Sequence, residues 1–500
     1  MNFAESIKPI HTSDVKLTEN GAIAYNTLHS PLVELFAQIG SLRARSDYEI
    51  QTKFSTAFAA HPLLATKMMF YAGNVRGGLG ERRTFRICLR WLAKNFPAIV
   101  VKNIELIPEF NRYDSLFELV DTGAEDTMWS FIRHTLAKDS EAYIQNQMNV
   151  IASKKYQPLS LLAKWMPSEK ASSKKTRALA FKAMKALDLS AREYRKLITT
   201  LRKEIGVIEQ LMSDGKWDKI NYEAVPSYAM KNYRKAFDRH DASRFKDYTL
   251  GLIKGETKVN ASTLYPYNLV HEYYERGYKV DPIIEAQWKA LPNYVSGENN
   301  ILIMADVSGS MSCSNGRPME TSIGLATYFA QHNQGAYRGL YMTFTNQPYF
   351  INISDYATLF ECYRKVIHTG VGYSTNLDKA FERILLHAIE NDVKANEMPT
   401  ALVVISDMEI DPYFRPDRSW DFVEKWKREF QMCGYKLPKL VMWNVEARND
   451  TFLSQNDDII LCSGQSPSVF KNLCGALDGK TAWDFMMEVL GDKMYDCVRV

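Results

Sequence analysis

A short apolar run that ends in a cluster of oxygen side chains constrains this chain more than any other stretch. Residues Ile301–Ala305 are all apolar, and Asp306, Ser308 and Ser310 follow them directly. A run that is so short and so apolar is typical of a buried strand in a parallel sheet. Ligands of open α/β sheets bind beyond the carboxyl ends of the strands, so the sequence predicts a binding site at this point.

Two later segments supply oxygen ligands that this loop lacks. Thr375 lies in the glycine-bearing turn 370–377, which precedes a predicted helix, and Asp407 ends a second apolar strand that begins at Ala401. Hydroxyl and carboxylate oxygens are the ligands that hard cations prefer. The predicted site for Mg²⁺, or for Mn²⁺, consists of Asp306, Ser308, Ser310, Thr375 and Asp407. The alternative is that the Ser-rich turn only caps a helix.

These residues resemble the metal-ion-dependent adhesion site of von Willebrand factor A domains, whose pattern is Asp-x-Ser-x-Ser, then a Thr, then an Asp. The resemblance implies that Ser308, Ser310 and Thr375 hold the metal directly or nearly so. It implies that Asp306 and Asp407 act largely through water. It also implies a sixth position that stays open for a carboxylate of a protein partner.

Catalytic interpretations of the same loop are weaker. A phosphotransferase nucleophile motif needs a second Asp where Ser308 stands, and no Gly-x-Ser-x-Gly elbow surrounds this residue. We therefore expect a binding protein and not an enzyme.

The chain as a whole is predicted to be multidomain. Its 500 residues exceed one ordinary hydrophobic core. No apolar run approaches the roughly 18 residues that span a bilayer, and the first residues lack the pattern of a secretion signal. The seven cysteines include no Cys-x-x-Cys pair, which argues against a zinc cluster or a disulfide framework. We expect a cytoplasmic protein without a membrane partner.

A domain boundary is predicted in the polar, turn-rich segment 292–298, which divides the chain into residues 1–295 and 296–500. The first part shows helical apolar spacing, as in Pro31–Ile39 and Leu63–Tyr71. Helices of similar length with few strands between them suggest an all-α module of stacked helix pairs, although the sequence has no strict period. In the second part strands and helices alternate, which predicts a doubly wound, Rossmann-like α/β domain.

Charge differs between the two predicted domains. Residues 1–295 contain 43 Lys and Arg against 32 Asp and Glu, a balance of +11, and residues 296–500 contain 19 against 26, a balance of −7. A basic half favours a polyanionic partner such as RNA. The alternative is that opposite charges help the two halves to associate.

Two basic stretches contain the candidates for phosphate contact. Lys164–Lys203 has twelve Lys and Arg against three Asp and Glu, and it is either an anion-binding helix start or a solvated helix face. Tyr233–Tyr248 alternates aromatic and basic residues, which is typical of single-stranded RNA readers and equally of a helix with an aromatic core face. The candidate RNA-binding residues are Lys170, Lys174, Lys175, Arg177, Lys182, Arg234, Lys235 and Arg239.

The helical half also resembles a known group of proteins. Elements such as Arg76–Arg82, Arg112–Leu116 and Ala163–Pro167 look like those of an uncharacterised family of helical modules fused to von Willebrand A domains, met in bacteria, phages, fungi and plants. That family is similar to Ro proteins, whose TROVE module is a ring of HEAT-like repeats that binds small non-coding RNAs and single-stranded ends of misfolded RNAs. The resemblance implies a HEAT-like module with an RNA partner.

Residues and resemblances together predict a Ro-like ribonucleoprotein component, in which the helical module binds small or misfolded RNA through single-stranded parts. The alternative is a non-enzymatic protein scaffold. In that case the metal site captures an acidic residue of a protein partner, and the helical half supports it.

Overall fold

The computed structural model describes residues 15–17, 23–152, 156–276, 279–345, 347–369, 375–410, 422–448, 452, 459–474, 477 and 479–500. Residues 370–374, which belong to the turn before Thr375, lie outside the described residues.

Helices predominate before residue 300, and strands and helices alternate after it. The strands are β1 (Val15–Leu17), β2 (Ile23–Tyr25), β3 (Ile301–Asp306), β4 (Leu340–Phe344), β5 (Phe350–Asn352), β6 (Ala401–Ser406), β7 (Lys439–Asn444) and β8 (Ile460–Ser463). The helices before β3 are α1 (Pro31–Gln38), α2 (Asp47–Ala60), α3 (Pro62–Gly73), α4 (Arg82–Asn95), α5 (Pro97–Lys102), α6 (Leu106–Phe110), α7 (Glu125–Ala152), α8 (Leu162–Trp165), α9 (Lys174–Leu187), α10 (Ala191–Ile205), α11 (Ile208–Ser213), α12 (Ser227–His240), α13 (Ala242–Lys254), α14 (Pro266–Arg276) and α15 (Pro282–Lys289). The later helices are α16 (Arg317–His332), α17 (Leu359–Thr369), α18 (Leu377–Glu390), α19 (Phe422–Met432), α20 (Phe470–Leu473) and α21 (Ala482–Leu490).

The chain forms two compact units that are not the two halves of the sequence. One, here called the sheet unit, comprises Met1–Ala72, Arg76–Thr84 and Ala261–Asp496, and the other, the helical unit, comprises Gly73–Val75, Phe85–Asn260 and Cys497–Val500. The predicted division at residue 295 therefore differs from the compact units. Helices α1 and α2, most of α3, and helices α14 and α15 belong with the sheet, because their apolar faces pack in that unit.

A six-stranded sheet forms the centre of the sheet unit. Its strand order is β5-β4-β3-β6-β7-β8, with β5 antiparallel to β4 and the other neighbours parallel. The first long strand of the sheet thus lies in the middle, which is the arrangement of a doubly wound α/β fold. The prediction of a mainly helical N-terminal region and an α/β C-terminal region is confirmed.

The two faces of the sheet are covered by different helices. On one face, α18 and α19 contribute Phe381, Trp426 and Phe430 to a core that includes Met304 and Val404. The helix α16 is buried along most of its length, and it contacts the sheet as well as α14. This double coverage explains why β3 and β6 consist almost entirely of buried apolar residues.

A close backbone contact joins the end of α1 to the end of β8. The Gly40 amide donates to Ser463 Oγ at 2.9 Å, and a Cβ atom on Gly40 would lie 2.6 Å from the carbonyl carbon and oxygen of Ser463. Only glycine fits at such a distance. The residues before the predicted boundary therefore form part of the structure around the sheet.

A buried ion-pair network lies beside this contact. The guanidinium of Arg43 donates to Glu81 at 2.6 Å, to Glu446 at 2.8 Å, and to the carbonyl oxygens of Gly40 and Val445. Glu446 also accepts a hydrogen bond of 3.3 Å from Ser314, which follows the predicted metal loop. Arg43 thus ties the end of α1 to the loop after β7.

The helical unit is built around the 28-residue helix α7, which contacts α8, α9 and α10. Among the described residues of this unit the helices range from 4 to 28 residues. The similar helix lengths that we expected are therefore not found in this part of the chain. Among the described residues no helix combines the length and the apolar character that crossing a membrane requires.

Candidate metal and nucleic-acid sites

The two predicted carboxylates meet at the carboxyl edge of the sheet. Strands β3 and β6 are parallel neighbours, and Ala305 pairs with Ile405. The next residue on each strand is Asp306 or Ser406, and the Ser406 hydroxyl donates to Asp306 Oδ2 at 2.5 Å. Asp407 follows immediately, and both carboxylates are buried.

The loop after β3 closes over these carboxylates. The Ser308 amide donates to Asp306 Oδ1 at 2.9 Å, and the hydroxyls of Ser308 and Ser310 lie 3.0 Å apart. Ser310 Oγ in turn lies 3.4 Å from Asp407 Oδ1. Four of the five predicted metal ligands are therefore linked through direct contacts.

The fifth predicted ligand, Thr375, is held by the loop after β6. This residue is fully buried, and its hydroxyl donates to the carbonyl oxygen of Glu409 at 3.0 Å. The Glu409 amide donates to Asp407 Oδ1 at 3.2 Å. Thr375 thus lies against the same loop as Asp407, with its hydroxyl directed to the backbone of that loop.

Burial acts on both carboxyl groups, and the charge of Asp407 also acts on Asp306. Burial, followed by the nearby charge of Asp407, raises the pKa of Asp306 to about 7, although hydrogen bonds from Ser406 and Ser308 oppose the shift. Burial also raises the pKa of Asp407, against the opposing effects of the Glu409 amide and Arg448. An added cation would relieve this repulsion.

Three residues of this site were not identified from the sequence. Ser406 was detectable in principle, because it is next to Asp407 and the strand register places it beside Asp306. Arg448 follows β7 and lies 3.4 Å from Asp407 Oδ2, and no local pattern connects the two residues. Glu409 contributes backbone groups, which sequence does not reveal.

The donor set has the chemistry of a site for a hard cation. It offers two carboxylates and three hydroxyls, and the carboxylates lie in a buried environment where their charge is poorly solvated. Mg²⁺ and Mn²⁺ prefer oxygen ligands and keep some bound water. Asp306, Ser308, Ser310 and Asp407 are the residues that could hold such an ion, with Thr375 at the adjoining loop.

The candidate RNA-binding residues all lie in the helical unit, but they are not equally available. Lys170, Lys174, Lys175, Lys235 and Arg239 are exposed. Arg177 is half-buried and donates to the carbonyl oxygens of Ala171 and Ser172, so it holds the turn before α9. Lys182 forms a 2.6 Å ion pair with Asp121, and Arg234 is half-buried in α12.

The aromatic side chains of the segment 233–248 form a core. Phe237, Phe245 and Tyr248 are buried and pack on Tyr222, with ring centroids 5.2 to 5.4 Å from that ring. The interpretation as a helix with an aromatic core face is therefore confirmed for these three residues. They are not available to stack on bases, because the packing of α12 on α13 encloses them.

Exposed aromatic residues lie elsewhere on the same unit. Phe181 on α9 is 60% exposed and Tyr228 on α12 is 42% exposed. Lys185, which is also exposed, lies one helical turn after Phe181. The alternation of residue types did not reveal these positions, since helical spacing of four and seven residues decides which side chains share a face.

Comparison with known families gives two matches. The model described as Domain of unknown function (DUF2828) matches residues 18–115 and 116–298, which is more than half of the chain. The model described as Domain of unknown function (DUF7788) matches residues 300–487. The two matched regions meet close to residue 299, although the compact units divide the chain differently.

Two individual proteins are similar to this chain over nearly its whole length. Uncharacterized protein L728 of Acanthamoeba polyphaga mimivirus is 28% identical over 495 residues, which cover 93% of this chain and 85% of that protein. The crystal structure of the Deinococcus radiodurans RO (RSR) protein aligns with a TM-score of 0.41 and 14% identity, and it covers 93% of this chain and 99% of that chain.

Proposed function

The chain belongs to the family described as Domain of unknown function (DUF2828), and we propose that this member is an RNA-binding protein of Ro-like type. In this proposal the helical unit binds single-stranded parts of small or misfolded RNA. The sheet unit carries a von Willebrand A-like metal site that binds a further ligand. We assign a binding role to both units and no catalytic step to either.

The distribution of charge over the compact units carries this proposal. The helical unit has 32 Lys and Arg against 21 Asp and Glu, a balance of +11, and the sheet unit has 30 against 37, a balance of −7. The positive balance of the whole chain is thus concentrated in a unit of fewer than 200 residues. Such a surface attracts phosphates and releases their counterions on binding.

Reversing three exposed charges on α9 tests the RNA proposal. Lys174, Lys175 and Lys185 form no ion pair among the described residues and leave the helix core untouched. In the variant with all three changed to Glu, we expect RNA affinity to fall at least about tenfold at low salt, because three attractions become repulsions. The dependence of affinity on salt should become shallower. Fluorescence anisotropy with a labelled single-stranded RNA measures both effects.

The matched control changes Lys379, Lys394 and Lys493 to Glu. These three residues are also exposed, but they lie in the acidic sheet unit, so their reversal should leave RNA affinity within about twofold. Equal RNA binding by the α9 variant and the wild type would contradict the proposal.

We further propose that the oxygen cluster at the end of β3 and β6 binds Mg²⁺ or Mn²⁺, in the manner of a metal-ion-dependent adhesion site. Asp306, Ser308, Ser310, Thr375 and Asp407 would hold the ion. The ion would supply positive charge and an open coordination position for a carboxylate. The proposal is supported by the direct contacts among four of these residues and by the raised pKa of both carboxyl groups.

The raised pKa of Asp306 predicts a specific dependence of stability on pH and metal. Between about pH 4 and pH 7 the folded protein holds a proton that the unfolded chain releases. Without divalent cations, this group's contribution to stability is therefore complete below its ordinary pKa and is lost as pH rises through about 7. We expect Mg²⁺ to raise the melting temperature on the order of 5 °C at pH 8, and less at pH 5.5.

Differential scanning fluorimetry in EDTA or Mg²⁺ at both pH values measures this effect. The Asp306→Asn variant cannot ionise at this position, so it should lose the part of the pH dependence that comes from Asp306 and, with it, the stabilisation by Mg²⁺. If Mg²⁺ raised the melting temperature of the variant as much as that of the wild type, the site would be wrongly assigned.

The alternative proposal is a protein scaffold, and the buried carboxylate pair favours it, since a bound ion could capture an acidic residue of a protein partner. The two functions respond to different changes. The scaffold predicts that Asp306→Ala or EDTA abolishes capture of the partner, whereas reversal of charge on α9 leaves capture unchanged. The RNA-binding proposal predicts that reversal of charge on α9 weakens RNA binding, whereas Asp306→Ala or EDTA leaves RNA binding unchanged.

A further inference from the structure

One face of α9 combines an exposed aromatic ring with two basic side chains. Lys174, Phe181 and Lys185 are separated by seven and four positions, so they lie along one stripe of the helix. The opposite face, formed by residues such as Ala183 and Leu187, is buried. Phe181 is 60% exposed and therefore contributes little to the core of the unit.

The same spacing recurs on α12. Tyr228 is 42% exposed, and Lys235 and Arg239 follow it after seven and eleven positions on the exposed face. The buried face of this helix contains Met230 and Phe237. Two helices of the basic unit thus present one aromatic ring in line with two basic side chains.

This combination matches the chemistry of an unpaired nucleotide chain. An exposed ring can stack on any base, and basic side chains on the same stripe can contact the phosphates on either side. In a duplex the bases are already stacked on one another, so a ring on a helix surface has no base face to contact. In the described residues no acidic side chain forms an ion pair with Lys174 or Lys185, which leaves their charge available to phosphates.

We propose that the α9 stripe is a base-stacking site for single-stranded RNA, in which Phe181 stacks on an unpaired base and Lys174 and Lys185 contact phosphates. The α12 stripe of Tyr228, Lys235 and Arg239 is a second site of the same kind. This inference rests on the proposed RNA binding, and it adds the residues that select single strands over duplexes.

The test compares Phe181→Ala with Phe181→Trp in the full-length protein. The probes are a labelled oligouridylate and a labelled RNA duplex, both measured by fluorescence anisotropy. Loss of one stacked base corresponds to about 1–3 kcal/mol, so Phe181→Ala should weaken oligouridylate binding by about fivefold or more. Binding of the duplex should stay unchanged, and Phe181→Trp should retain binding, with quenching of its indole fluorescence by the bound base.

The matched control is Trp483→Ala. Trp483 is also exposed, at 42%, but it lies on α21 in the acidic sheet unit, so its removal should affect neither probe. If Phe181→Ala left oligouridylate binding unchanged, or weakened both probes equally, the stacking site would be refuted while RNA binding by the unit would stand. If the wild type bound neither RNA, the proposed function itself would fail.

Discussion

Replacing Arg43 with Met is expected to lower the free energy of unfolding of the sheet unit by about 3–5 kcal/mol. The guanidinium lies between Glu81 and Glu446, both buried, and it also bonds two backbone carbonyl oxygens. Burial opposes the charge of Arg43, yet the two carboxylates outweigh this effect and raise its pKa. Methionine has a similar length and no charge, so the variant leaves two buried carboxyl groups without their partner. Chemical denaturation followed by circular dichroism measures the loss.

Two controls separate the buried charge from a general effect of substitution. Lys379→Met removes an exposed ion pair with Glu382 in the same unit, and it should cost less than about 1 kcal/mol. Adding Glu81→Gln and Glu446→Gln to the Arg43→Met variant should recover part of the lost stability, because the unpaired charges disappear. A loss below about 1 kcal/mol in Arg43→Met alone would show that the network is not closed in solution.

The Gly40→Ala variant is expected to lose about 3 kcal/mol or more, which is the upper range for overpacking. Its new methyl group would lie 2.6 Å from backbone atoms of Ser463 and 2.7 Å from the amide nitrogen of Gly464. Backbone atoms at the end of a sheet strand cannot rotate away as a side chain can, so α1 has to shift as a whole.

Urea denaturation of Gly40→Ala against Gly309→Ala provides the measurement. Among the described residues, and apart from its two chain neighbours, no atom would lie within 4 Å of a Cβ atom on Gly309, so its substitution should change stability by no more than about 0.5 kcal/mol. Equal stability of the two variants would mean that α1 does not pack on β8 at the distance described.

The strands at the site were predictable because their sequences allow few alternatives. The runs from Ile301 and from Ala401 are too short and too apolar for surface helices, and each ends in an acidic residue. The structure has strands there, as parallel neighbours, and their register brings Asp306 and Asp407 together. Parallel pairing of two such strands places these two residues, which are about a hundred positions apart in the sequence, at one site.

The partners of the N-terminal helices were not predictable in the same way. The apolar face of α1 would suit a neighbouring helix as well as a sheet, because hydrophobic burial is not directional. What selects the sheet is the fit of Gly40 against Ser463 and the bonding of Arg43 to Glu446. Both partners lie more than 400 residues along the chain, and nothing in the local sequence marks them.

The proposed RNA-binding residues show a similar difference between what the sequence predicted and what it did not. Composition located the basic region correctly within the helical unit, since charged side chains are excluded from the core. It did not separate Arg177 and Lys182, which have partners within the protein, from Lys174 and Lys175, which are exposed. Nor did it separate the enclosed Phe237 from the exposed Phe181, because that difference depends on which helix face meets a neighbour.

The contact between Gly40 and Ser463 also sets the order in which the protein can fold during its synthesis. The two residues are 423 positions apart, and translation at about 5–20 residues per second needs roughly 20–80 s to add that many. During this time α1, which contacts β8 in the folded protein, has no strand on which to pack, and residues 85–260 of the helical unit are synthesised within the same interval. Residues 85–260 of the helical unit are therefore synthesised before the sheet unit is complete, although the sheet unit contains the earlier helices α1 and α2.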